Sequence, residues 1–288
     1  AARNFIVESL TLPMNGIIAI PSGNLATGTI SDHGLFDNNI VKMAQAHTYS
    51  IWSLLSTDMI VSNNVIDGGA TNENSHFSQE GIEIFGGSNV LISNNNVSNM
   101  GNAAINIVTI SDTVNNSDVN NVTICNNVID FSRIAISFNT SYSATNGADN
   151  VQNVFVYNNT STNIFEIGLF IEIADGSEGA PTILDNININ NNSFGLISGV
   201  NNTFIPSGVY IDGGSAHKLH FINDVDISQN EFSLTPVQDN QSSPSRLQNN
   251  NSRFVVFYNV ENVNFYLNTL KSMVVNRVTT AVSHILGD

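Results

Sequence analysis

Glu172 and Asp212 each follow an alternating segment that carries an aromatic residue, Gly168-Leu169-Phe170-Ile171 and Gly208-Val209-Tyr210-Ile211. If the two segments are neighbouring parallel strands, the carboxyl groups share one side of a sheet with backbones ~4.8 Å apart. Two carboxylates so close cannot both ionise cheaply, so one pKa rises and an acid stands beside a base. Carboxyl groups ~5 Å apart suit glycosidic hydrolysis with retention, and ~6.5 to 9.5 Å hydrolysis with inversion. Phe170 and Tyr210 would offer flat apolar faces on which sugar rings rest. Two plainer accounts compete. Outward strand positions in water are ordinarily polar, and clustered carboxylates with Asp175 and Glu178 nearby also suit Ca²⁺.

A second group is Glu73, His76, Glu80 and Glu83. His76 could act as acid or base near neutral pH and contact substrate, while a solvated loop explains the same residues without chemistry. His217 and His220 flank Lys218, a weak metal signal, and Cys125 has no nearby His to activate it.

These residues are positioned by a repeat. Met59-Ile60-Val61-Ser62-Asn63-Asn64 recurs at Val90, Val122, Val154, Ile187, Val225 and Val263, with steps of 31, 32, 32, 33, 38 and 38 residues. Its last position is Asn in all seven copies: Asn64, Asn95, Asn127, Asn159, Asn192, Asn230 and Asn268. Its third position is Val61, Ile92, Ile124, Val156, Ile189, Ile227 and Phe265. An eighth, weaker copy runs from Phe36 to Val41 with Asn39 in the Asn column. Apolar residues two apart make a strand with one buried face, and the jump of three across the Asn pair bends the chain. Asn tolerates the left-handed backbone of such a bend, and its amide can bond the identical amide one coil away. A leucine-rich repeat would need a Leu-dominated motif that is absent. The spacing predicts a parallel β-helix, all-β, of seven or eight coils with an Asn ladder.

A second strand lies upstream in each coil. Its outward positions form one column of Trp52, Glu83, Asn106, Ser137, Phe170 and Tyr210, and another of Leu54, Phe85, Val108, Asn139, Glu172 and Asp212. Trp52, Asn106, Phe170, Tyr210 and His76 are the expected substrate contacts, and Glu172, Asp212, Glu83 and Glu80 the expected catalytic acids. Insertions expected to wall this strand lie at 67–80 and 195–207 before it, and at 109–118, 139–150 and 174–182 after it. One domain spans 1–288: an entry coil and cap over 1–50, regular coils over 51–270 and a C-terminal end over 271–288.

The totals exclude several partners. Eight Lys and Arg against 24 Asp and Glu give a net charge of −16. That argues against nucleic acid, and against anionic polymers unless cations bridge the two. No stretch reaches the ~18 apolar residues of a membrane span, and the opening Ala1-Ala2-Arg3-Asn4 shows no signal-peptide pattern. A single cysteine rules out an internal disulfide framework.

The order strand, loop, strand, Asn corner, short strand, variable loop resembles the pectate-lyase-type right-handed β-helix superfamily. Ile20-Pro21-Ser22-Gly23 is similar to a turn that often opens such helices. The superfamily includes pectinases, alginate-modifying enzymes and bacteriophage tailspikes. The resemblance covers nearly the whole chain, but it is one of architecture. It implies a polysaccharide or cell-surface glycan as partner and an extracellular or virion location, with no resident cofactor. A homotrimer is compatible with the tailspike type, although no heptad segment marks a trimerisation coil. The Asp-Asp, His-Gly and Arg-Ile-Lys set of polygalacturonases is absent, as is the Asp-Pro-His of alginate epimerases. Lyases of this fold use Arg or Lys as base, and only Arg133 and Lys218 lie near the groove. The expected function is therefore carbohydrate-polymer binding with hydrolysis of the tailspike depolymerase kind. A non-catalytic adhesion rod, a Ca²⁺-dependent lyase or epimerase, and a structural spacer are the alternatives.

Overall fold

A computed structural model describes residues 3–9, 11–12, 18–20, 31–42, 49–70, 80–111, 116–140, 150–173, 183–198, 207–213, 221–236, 253–258, 260 and 262–272. Among them no helix occurs. One 22-stranded sheet, parallel at every pairing, winds as a right-handed parallel β-helix, and a two-residue antiparallel ribbon stands apart from it. Each coil contributes to three stacks. The lateral stack is seen in Ile167–Glu172 and Ser207–Asp212, the ladder stack in Val119–Cys125 and Asn150–Tyr157, and the short stack in Thr160–Ile164 and Ser193–Ser198.

The repeat columns are the register. Val61 pairs with Ile92, Ile92 with Ile124, and the column continues through Val156, Ile189, Ile227 and Phe265. From Val61 to Ile227 every member is fully buried. Two residues past the ladder, Ile66, Val97, Ile129, Phe194 and Phe232 fill the same core, and Phe194 stacks on Phe232 with ring centroids 5.4 Å apart. Leu270, in the last coil of that column, stays 38% exposed.

The Asn pair divides its work. The first member takes the left-handed bend: Asn63, Asn94, Asn126, Asn158 and Asn191 lie at φ 54–56°, and Gln229 and Leu267 follow. The second member is buried and builds the ladder. Asn127 accepts from the backbone N–H and the Nδ2 of Asn95, both at 3.0 Å, and donates to Asn159 Oδ1 at 2.9 Å and to the Ile92 carbonyl at 3.0 Å. The amide is thereby fully satisfied. Asn39 heads this ladder, donating to Asn64 Oδ1 at 2.9 Å, so the weak eighth copy is a full coil.

A further left-handed corner lies six residues before each ladder Asn, at Asp58, Asn89, Asn121, Asn153, Asn186, Asp224 and Asn262. Its side chains also bond along the axis, as when Asn89 donates to Asp58 Oδ1 at 2.8 Å. These short polar residues adopt positive φ at low cost because their side chains bond locally.

Candidate functional site

The upstream strand forms one lateral face in strict register. Trp52, Glu83, Asn106, Ser137, Phe170 and Tyr210 stand opposite one another on successive coils, as do Phe85, Val108, Asn139, Glu172 and Asp212. The strand enters this face through a tight inward corner made of Gly81, Ala104, Ala135, Gly168 and Gly208. A Cβ on Gly168 would come within 2.7 Å of the Gly208 carbonyl and 3.1 Å of the Phe194 ring, so only the smallest residues fit. That corner sets the phase. The residue before it and the second residue after it both point away from the core, which brings Glu80 and Glu83 to the same face.

Two regions differ in character. Toward the C-terminal coils, Phe170 and Tyr210 lie with ring centroids 5.6 Å apart and pack on a small apolar cluster of Ala103, Ile134 and Ile167, separate from the main core. Glu172 pairs directly with Asp212, both half-buried, and Tyr210 Oη donates to Asp212 Oδ2 over 3.4 Å. The predicted juxtaposition of two carboxyls beside two aromatic rings is thus present in the fold.

Toward the N-terminal coils the acids are closed in. Glu80 and Glu83 were grouped with a loop and expected to be solvated; instead both sit in the strand Glu80–Ser93, only 8% and 3% exposed. Stacking explains the difference, because a coil above and a coil below cover an outward side chain in mid-face. Asn102 donates to Glu80 Oε1 at 2.6 Å and Asn106 to Glu83 Oε1 at 2.9 Å. Asn139 Nδ2 in turn reaches Asn106 Oδ1 at 3.2 Å and Ser137 Oγ at 2.8 Å. Two buried atoms of this chain, Glu83 Oε2 and Asn139 Oδ1, have no hydrogen-bond partner.

Burial, reinforced by the neighbouring charge of Glu80, pushes the Glu83 carboxyl up to about 9 against the Asn106 hydrogen bond. Glu80 is raised by the same burial, opposed by Asn102 and the charge of Arg133. Arg133 clamps Glu166 on the next coil with two guanidinium nitrogens, yet burial still holds Glu166 above its ordinary value. Trp52, half-buried, stands in register with Glu83 and meets Phe85 edge-on at 6.1 Å.

His76, Glu73, Asp175, Glu178, His217, Lys218 and His220 lie outside the described residues, as do most of the insertions expected to wall the face. Among the described residues no three His, Cys, Asp or Glu side chains converge as a cation site. Cys125 is outward in phase but buried at 5% exposure beside Tyr157. Asn102 and Glu166 had no part in the sequence-based site. Glu166 was accessible to it: it follows Arg133 by 33 residues, one coil step, so the pair falls in register.

No protein-family model matches the sequence, and no curated protein sequence matches it. Solved structures do. The chain is similar to the family 28 exopolygalacturonase of Yersinia enterocolitica, at 12% identity and a TM-score of 0.44, over 87% of this chain and 48% of that one. It is also similar to the endo-xylogalacturonan hydrolase from Aspergillus tubingensis, at 14% identity and a TM-score of 0.38, over 91% of this chain and 85% of that one. The chain spans about half the length of the first of these.

Proposed function

We propose that the lateral face binds a carbohydrate polymer and hydrolyses it, with Glu172 and Asp212 as the carboxyl pair. The observation that carries this reading is their direct pairing on adjacent coils beside the Phe170 and Tyr210 rings, 5.6 Å apart. Stacked aromatic faces hold the apolar side of a pyranose, and two neighbouring carboxyls divide into acid and base or nucleophile. Along the rod, equivalent positions recur every ~4.8 Å, so the face offers a track rather than a pocket. In the finer form of the reading the chain is an extracellular or virion-borne depolymerase of the tailspike kind, with a homotrimer as its assembly. Likeness to named hydrolases plays no part in this, and the polygalacturonase motif set is missing from the sequence.

A non-catalytic adhesion rod is the second reading. It is favoured by the burial of Glu80 and Glu83, since the carboxyl pushed to about 9 is the one shut away from solvent. Incubating the protein with a panel of polysaccharides and measuring new reducing ends separates the two. Hydrolysis requires reducing ends to accumulate with time. Retention of the protein on a polysaccharide gel without reducing ends selects the adhesin, and neither response rejects both.

A further inference from the structure

The Glu83 carboxyl is bonded on one side only. Its Oε1 takes the Asn106 amide at 2.9 Å, while Oε2 is buried and unpartnered. At the other end of the same chain, Asn139 spends its Nδ2 on Asn106 and Ser137 and leaves Oδ1 buried and unpartnered. Buried polar atoms in native proteins are almost always satisfied, so each open valence calls for an occupant.

We propose, building on the carbohydrate reading, that Glu83, Asn106 and Asn139 form a hydroxyl-selective subsite, and that the bound polymer is a neutral glycan rather than a polyuronate or an amino-sugar polymer.

The chemistry of the two open atoms decides the class. A carboxyl group that keeps its proton offers a donor at Oε2, and an amide oxygen offers an acceptor. Burial and the adjacent Glu80 both favour the protonated form of Glu83. Sugar hydroxyls are donor and acceptor at once and suit both atoms. A carboxylate has only acceptors and would leave Asn139 Oδ1 facing lone pairs; an ammonium has only donors and would meet nothing at a protonated Oε2 it could use without stripping the proton.

The surrounding charge points the same way. Glu80, Glu83, Glu166, Glu172 and Asp212 belong to this face. Among its described side chains the one cation is Arg133, held by two bonds to Glu166. A carboxylate on every sugar would therefore meet acids without a cation to receive it. Trp52, in register beside Glu83, supplies a ring face that needs no charge on its ligand.

The test is a glycan array printed with neutral polymers (β-glucans, mannans, galactans), polyuronates and deacetylated hexosamine polymers, probed with the full chain at pH 7. The expected result is that the strongest signals come from neutral polymers, with polyuronates at least ~10-fold weaker. Strongest binding to polyuronates or to amino-sugar polymers overturns the inference while leaving the carbohydrate reading standing; no binding to any class overturns both.

Two variants then test the subsite on the strongest neutral ligand. Glu83→Gln keeps a donor at the open position and should retain affinity within ~3-fold. Glu83→Leu should lose ~10-fold or more, the factor equivalent to one hydrogen bond of about 1.4 kcal/mol. A Glu83→Leu protein that unfolds with the wild-type cooperativity and binds as tightly as wild type overturns the subsite.

Discussion

Asn106 donates to Oε1 of Glu83 across 2.9 Å and leaves the other oxygen of that carboxyl buried without a partner. One amide cannot offset the loss of hydration together with the proximity of Glu80, which is why Glu83 keeps its proton up to about 9 rather than the ordinary 4.5. The unfolded chain releases that proton near 4.5, so between about 4.5 and about 9 the folded state binds the extra proton. Stability must then fall as pH rises through that window, with a slope of up to about 1.4 kcal/mol per pH unit from this group. Glu80 and Glu166, also raised, add to the same trend. Urea unfolding at pH 5, 6.5 and 8 should show progressive loss, and Glu83→Gln should flatten the curve and raise stability at pH 8. Equal slopes in mutant and wild type would refute the assignment.

The ladder gives a contrast between adjacent residues. Asn127→Ala removes four buried hydrogen bonds and orphans the backbone N–H of Asn95 and the Ile92 carbonyl. With about 1–3 kcal/mol for each group left unsatisfied, the cost should be roughly 2–6 kcal/mol. Asn126 holds only the bend, at φ 56°. Asn126→Gly keeps that conformation open and should change stability by no more than about 1 kcal/mol. Thermal or chemical unfolding of the two variants side by side checks the division of labour, and similar losses in both would contradict it.

The fold was legible in the sequence to the level of individual pairings. Seven Asn in one column and Val or Ile at two-residue spacing leave a single register, because a slip of one residue would turn every Ile outward. The second left-handed corner was not legible. Asp58, Asn89, Asn121 and their equivalents look like ordinary polar residues between strands, and nothing short of backbone angles distinguishes them. For the site, the columns of Glu83 and of Glu172 could be read, but exposure could not. Alternation tells which side of a strand a residue faces, not how deeply neighbouring coils cover it. Glu83 therefore read as one more surface acid, and its burial arises only when coils are stacked.

Ile189 tests the strand phase directly. It is fully buried between Val156 and Ile227 in a core one coil wide. Ile189→Asp would place a carboxyl among apolar side chains with no cation in the column, at a cost of several kcal/mol. The variant should lose cooperative unfolding or show a markedly lower thermal midpoint. Asn188→Asp, one residue along and half-buried on the outer side, should be tolerated. An unchanged midpoint for Ile189→Asp would mean that the strand presents its other face to the core.

The last prediction concerns chemistry at Glu172 and Asp212. Their backbones pair on adjacent coils, and Tyr210 holds Asp212 at 3.4 Å, so the two carboxyls are kept on one strip of the face. Glu172→Gln and Asp212→Asn preserve shape and outward placement but remove the capacity to transfer a proton or attack a glycosyl carbon. On a polysaccharide that the wild-type protein cleaves, each should lower the rate by ~10²- to 10⁴-fold, the usual contribution of a positioned acid or base. Retention of each variant on that polysaccharide should stay within a few-fold of wild type, because the rings of Phe170 and Tyr210 are untouched. Phe170→Ala should show the opposite pattern, with weaker retention and a raised KM. If both amide variants cleave at the wild-type rate, proton transfer belongs to Glu80 and Glu83, the other acids of the face, and the half-buried pair serves only to bind.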